Sequence, residues 1–233
     1  MNKEIVSETF LSISPNKFGI YLFDTHSLKE IYISEAKIKN DLTSIDFNLL
    51  KEFLDNNIYK IEKNIGKFID NIFIVIDNKK ILNLDIGIKK KNYNKFINRQ
   101  NIETYVTEVK DLFKENYPNQ KIMHIIINKY LIDGKICLIN EQSLECDQLN
   151  LEIQIKSLSN SIVYDLNKVL ENYQIKINKF LDINYIESFF SNETQLSAMA
   201  HKILNGYNSK EVRIVPKNIK KIGFFEKIFQ LFS

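Results

Sequence analysis

Tryptophan is absent from the chain, arginine occurs twice (Arg99 and Arg213), cysteine twice (Cys137 and Cys146), proline three times and glycine six times. Two cysteines are too few for a disulfide framework and fit no zinc-knuckle spacing, so both read as small apolar residues of a core. The scarce glycines leave no phosphate-cradling loop: the sequence holds no G-x-x-x-x-G-K-[ST], G-x-G-x-x-G or G-x-S-x-G. Two arginines argue against a nucleic-acid partner, whose surfaces usually spread basic residues over one face with arginine prominent. The five apolar residues Ile72–Ile76 fall far short of a membrane span. Met1-Asn2-Lys3-Glu4 has no apolar signal core, so a cytoplasmic chain is expected.

What is present is ordinary for a globular protein: 233 residues, 44% apolar and 26% charged, enough for one large domain or two small ones with a real core. Asn, Ile and Lys supply 96 of the residues, a bias of the kind AT-rich coding sequence imposes, so abundant Lys is not itself a functional signal. The net charge is +3, and all of it lies in the last seventeen residues, where Lys217, Lys220, Lys221 and Lys227 face Glu226 alone.

Strand-like runs at Phe10–Ile13, Phe18–Phe23 and Glu30–Ile33 are separated by turn chemistry at Pro15-Asn16 and Asp24-Thr25-His26-Ser27. Apolar residues at three- and four-residue steps from Leu49 to Ile69 predict one long helix with Asp46 as its cap. Ile72–Ile76 then reads as a strand buried on both faces. Asn101 is placed to cap a helix that Pro118 stops, and strands follow at Ile122–Ile132 and Leu149–Leu158. A helix over 161–173, a strand at Ile175–Phe180 and a short helix at Glu193–Leu204 complete the body.

Catalytic chemistry is sparse. His26, His124 and His201 are far apart in sequence; His124 sits in an apolar strand, where a hydrogen-bonded structural histidine is the default. Asp24 and Ser27 fit a turn better than a metal site, and Asp77 and Asp85 read as solvated edge residues. No catalytic residue, metal ligand or cofactor site is assigned, and the chain is expected not to be an enzyme. A pocket gathering His124, Asp85 or Cys137 with convergent polar groups would favour a small-molecule site instead.

The tail is more informative. On a helical wheel Ile222, Phe224, Phe225, Ile228, Phe229, Leu231 and Phe232 share about half the circumference, with Lys220 and Lys227 opposite. Lys221 falls inside the apolar arc near the helix start, where its stem can snorkel. These ten residues form the composition of an in-plane membrane anchor, each Lys worth about 1 kcal/mol near anionic lipid. The alternatives are a helix docked on the core and a helix for a partner's groove.

The order of elements, the segment Ile122–Gly134 ending in Asp133-Gly134, and the tail Gly223–Phe232 together resemble FtsA, the actin-like division protein that tethers FtsZ to the cytoplasmic membrane. The resemblance implies a mixed α/β fold: a partial actin-like, ribonuclease-H-like subdomain at 1–84 and 161–190, and a strand-helix-strand-strand insertion at 85–160. It further implies a short helix and tether at 191–216 and a membrane helix at 217–233. Departures are as marked. The family's first phosphate turn, of D/E-x-G-[TS] type, would fall on Ser12-Ile13-Ser14-Pro15, without its acid or glycine. The second phosphate motif and the second actin-like lobe have no counterpart, and the lobe that contacts FtsZ is the missing one. The resemblance therefore implies a nucleotide-free adaptor on the inner face of the membrane at the division site. It would recruit division partners or self-associate through strand edges. A scaffold of a pilus or secretion assembly, and a non-functional FtsA remnant, are the competing readings.

Overall fold

The computed structural model describes residues 6–38, 45–97, 99–137, 144–191 and 193–212. In chain order the elements are β1 (Ser7–Ser14), β2 (Lys17–Asp24), β3 (Lys29–Lys37), α1 (Phe47–Asp55), α2 (Ile58–Ile65), β4 (Asn71–Ile76), β5 (Leu82–Ile97) and α3 (Arg99–Asn116). They continue with β6 (Gln120–Ile132), β7 (Lys135–Cys137), β8 (Leu144–Ser159), α4 (Asn160–Glu171), β9 (Lys176–Asp182), α5 (Ile183–Glu187) and α6 (Leu196–Leu204).

Five strands form a mixed sheet in the order β3-β2-β1-β4-β9. β1, β2 and β3 are joined antiparallel, whereas β4 lies parallel to β1 and β9 parallel to β4. Strands buried on both faces need apolar residues at every position, and Ile72, Ile74, Val75 and Ile76 are all inaccessible to solvent. One face packs Leu11, Ile13, Ile20 and Ile74 against Leu50 and Leu54 of α1, Ile61 of α2 and Leu166 and Leu170 of α4. The other packs Phe10, Phe23 and Val75 against Ile186 of α5 and Met199 and Ile203 of α6.

The single long helix expected between Asp46 and Ile69 is two helices. Apolar periodicity runs through the break, but Asn56 and Asn57 interrupt the backbone ladder. The buried Asn57 side chain donates to Phe53 O at 2.6 Å and accepts from Tyr32 Oη at 2.6 Å, which fixes the bend. Asp46 does cap α1, accepting from the amides of Asn48 (2.9 Å) and Leu49 (3.1 Å). Asp46→Ala is expected to cost about 1 kcal/mol, read as a fall in Tm of about 2–4 °C.

Between β4 and α4 the chain builds a second sheet, all antiparallel, in the order β5-β8-β6-β7. Leu149, Leu151, Ile153 and Ile155 of β8, with Ile125 and Ile127 of β6, face Ile102, Val106, Val109 and Phe113 of α3. The opposite face is polar: Gln154 donates to Asp85, and Lys129 pairs with Glu152. Asp133 and Gly134, with φ of 48° and 81°, make the two-residue turn between β6 and β7. Two successive positive φ values are what a type I′ hairpin demands, and Asp-Gly supplies them.

Candidate functional site

An actin-like platform would place phosphate chemistry at the turn between β1 and β2. Here Ser14 pairs with Lys17, leaving only Pro15 and Asn16 between the strands. Pro15 has no N–H to offer a phosphate, and the Ser14 hydroxyl is spent on Asn16 Oδ1 (2.8 Å) and Lys17 O (3.0 Å). The Lys17 ammonium pairs with Glu35 at 2.8 Å, and Glu35 also accepts from the Tyr21 hydroxyl at 2.6 Å. The Lys17 pairing, backed by the Tyr21 hydrogen bond, holds the Glu35 carboxyl below its ordinary range. Tyr21 folds so closely over Gly19 that a Cβ there would meet its hydroxyl at 2.5 Å. The turn is closed, its cation is neutralised, and it presents no cradle of backbone amides.

Two residues of the small-molecule alternative, Asp85 and Cys137, are not brought together. Asp85 lies on β5 and Cys137 on β7, the two opposite edges of the four-stranded sheet. Among the described residues no group of three His, Cys, Asp or Glu side chains is placed to hold a metal. Asp24 accepts from His26 N (3.0 Å) and Ser27 Oγ (2.7 Å), as a turn residue does. His201 pairs with Glu8 at 2.8 Å, and Cys146 is buried beside α3.

The densest polar chemistry lies where the two sheets meet. His124, on β6, is 1% exposed and held by both ring nitrogens. Its Nε2 accepts from Asp182 N at 3.1 Å; a backbone N–H can only donate, so Nδ1 carries the hydrogen and gives it to Glu211 Oε1 at 2.9 Å. Burial pushes the imidazole pKa down, against the pull of Glu211. Glu211 belongs to the segment after α6. It accepts from Lys179 Nζ of β9 (3.1 Å) through Oε1 and from the Tyr185 hydroxyl of α5 (3.0 Å) through Oε2. Burial alone would raise this carboxyl, but the His124 hydrogen bond and the Lys179 cation prevail and hold it at about 2. Asn208 donates to the Tyr185 hydroxyl at 2.8 Å, and Lys156 of β8 pairs with Asp182 at 2.8 Å. The His124 and Tyr185 ring centroids lie 4.3 Å apart, the planes tilted by 47°.

The backbone joins in. Ile127 N donates to Lys210 O (2.9 Å) and Val212 N to Ile125 O (2.8 Å), a short antiparallel bridge centred on Ile126 and Glu211. The polar composition after residue 204 predicts a loose tether, yet through Val212 this stretch is pinned against β6. The pinning residue is a carboxylate whose partners sit in β6, β9 and α5, a constellation no local pattern announces. The tail residues Lys220, Lys221, Ile222, Phe224, Phe225, Lys227, Ile228, Phe229, Leu231 and Phe232 lie outside the described residues. Among the described residues no helix is long and apolar enough to cross a membrane.

No family model matches the sequence, and no curated protein matches it. Among solved structures the chain is similar to one from the PilM–PilN type IV pilus biogenesis complex, with a TM-score of 0.51 and 11% identity over 79% of this chain and 49% of that one. It thus spans about half the length of that structure. Weaker overlaps, at TM-scores of 0.40 and 0.35, are with two further proteins. One is the cytoplasmic domain of EpsL, an inner-membrane component of the Vibrio cholerae type II secretion system, at 5% identity over 77% of this chain and 58% of that one. The other is a Bacteroides thetaiotaomicron protein with an actin-like ATPase fold and unknown function, at 16% identity over 80% and 56%. The strand order and the insertion between β4 and α4 make the chain a partial actin-like fold: one mixed platform sheet carrying one antiparallel inserted sheet.

Proposed function

We propose that this chain is a membrane-associated adaptor, an actin-like platform that organises protein partners at the cytoplasmic face of the inner membrane without nucleotide chemistry. The observation that carries this reading is the β1–β2 turn, two residues long with its lysine tied to Glu35, which supports a platform that works without nucleotide. The amphipathic sequence from Lys220 to Phe232 supplies the membrane contact, through apolar burial plus attraction to anionic lipid. The finer assignment is FtsA-like: recruitment of division partners at the septum, with FtsZ as one candidate partner. The likeness to a PilM–PilN structure favours a second reading, a scaffold of a pilus or secretion assembly.

Vesicle co-sedimentation of the full chain and of a chain ending at Pro216 tests the membrane contact. Only the full chain is expected to pellet with phosphatidylglycerol-containing vesicles, and raised salt should weaken it. Equal behaviour of the two chains would defeat the adaptor reading. Millimolar Mg-ATP is expected to move Tm by less than about 1 °C, since a ligand that does not bind cannot stabilise. A dose-dependent rise would restore a nucleotide role. Proximity labelling from the full chain in cells separates the finer assignments: septal proteins favour division, pilus or secretion components the second reading.

A further inference from the structure

The junction has one property that neither the platform nor an adaptor role requires. A single buried imidazole bridges two bodies: through Nδ1 it holds Glu211, whose segment is bonded along β6, and through Nε2 it holds the corner where β9 turns into α5. The second bond depends on a bare nitrogen. A proton arriving on Nε2 would set one N–H against another across 3.1 Å, and the Asp182 amide would lose its acceptor. The first bond gains from the same event, because an imidazolium facing a carboxylate is a charge-assisted pair. One proton, taken from solvent, therefore weakens one side of the ring and strengthens the other.

We propose that His124 is a proton-operated hinge pin: protonation of Nε2 releases the Asp182 amide and loosens the β9–α5 corner, while residues 208–212 stay with β6. The remaining ties of the corner are the Lys156–Asp182 pair and the bonds of Lys179 and Tyr185 to Glu211. The groups facing the ring set the balance. Glu211 from the terminal segment and Asp182 from the corner favour the added proton, and Lys179 of β9 opposes it. Lys156 of β8 stands opposite His124 in register and is held by Asp182. Tyr185 of α5 lies against the ring, its hydroxyl kept protonated by burial. Burial of the ring is the largest influence and resists the charge, so the pin is closed at neutral pH and opens in acid below 6.5, the ordinary histidine value. Since Val212 remains on β6, the root of the tail moves with the inserted sheet.

Amide hydrogen exchange on the full chain, corrected for the intrinsic pH dependence, tests this between pH 7.5 and pH 5. The Asp182 amide is expected to lose protection by at least about tenfold, while Ile127, Val212 and the platform amide of Ile74 keep theirs. His124→Gln places a non-titrating oxygen near the Nε2 position and should abolish the pH response at Asp182. Equal protection of Asp182 at both pH values overturns the proposal, as does parallel loss at all four amides or an unchanged response in His124→Gln. Should that variant not fold, 15N titration of the His124 ring in the native chain decides. Its midpoint must coincide with that of Asp182 exchange, and a mismatch rejects the hinge.

Discussion

Replacing Glu211 with alanine is expected to destabilise the fold by about 1–3 kcal/mol for each of the two buried donors it leaves without an acceptor. The Glu211 side chain is 3% exposed and takes hydrogen bonds from His124, Lys179 and Tyr185. Lys179 is partly exposed and can turn to water, but the His124 Nδ1–H and the Tyr185 hydroxyl would be left with buried, unsatisfied hydrogens. Urea unfolding measures the loss, and a change under about 1 kcal/mol would show that the junction is dispensable. The pH dependence has a definite sign. His124 and Glu211 both have depressed values, so their contribution is fully present above the unfolded values of 6.5 and 4.5. As pH falls below 6.5 the unfolded chain binds a proton that the folded imidazole refuses, and stability declines. A second decline, between 4.5 and about 2, belongs to Glu211 and should be missing from Glu211→Ala.

Phe10→Ala is expected to cost about 3–5 kcal/mol. Phe10 is fully buried on β1, the middle strand of the platform, with its ring stacked on Phe73 at 5.3 Å and packed within the cluster that includes Ile186 and Met199. A platform clamped between two helical layers has little freedom to collapse into the space, so transfer and cavity losses add. Phe10→Leu, which keeps most of the volume, should cost less than about 1.5–2 kcal/mol. Both are read by denaturant titration at unchanged slope. Equal losses in the two variants would mean that the aromatic pair, not the volume, is what matters.

The platform was the legible part of the sequence because its signals are local. Ile72–Ile76 has no polar residue to contradict a doubly buried strand, and Asp46 stands immediately before the apolar period that it caps. The break between α1 and α2 was hidden because Leu54, Ile58 and Ile61 keep helical spacing across it, and a buried Asn57 is legible only once Tyr32 is known to face it. Of β5 only a turn and strand before Asp85 are legible from the residues, although Leu82, Leu84, Ile86 and Ile88 alternate; the Lys89-Lys90-Lys91 run that follows suggests a solvated loop, and on an edge strand lysines are tolerated. The junction was illegible for a different reason. Glu211 lies in a polar stretch and His124 in an apolar one, 87 positions apart, and only folding brings them together.

The parallel pairing of β4 with β9 sets a timetable for synthesis. Ile72 lies beside Ile177, so the platform has no fifth strand until the ribosome has made the whole inserted sheet and α4. Throughout that interval β4 shows the nascent chain's surroundings an unpaired edge whose side chains are all apolar from Ile72 to Ile76. Such an edge is a template for wrong partners, and pairing across so long a separation is slow. The inserted sheet, all of whose strands lie between β4 and β9 in the chain, can fold first. A newly made chain therefore depends most on chaperone protection between the emergence of β4 and that of β9.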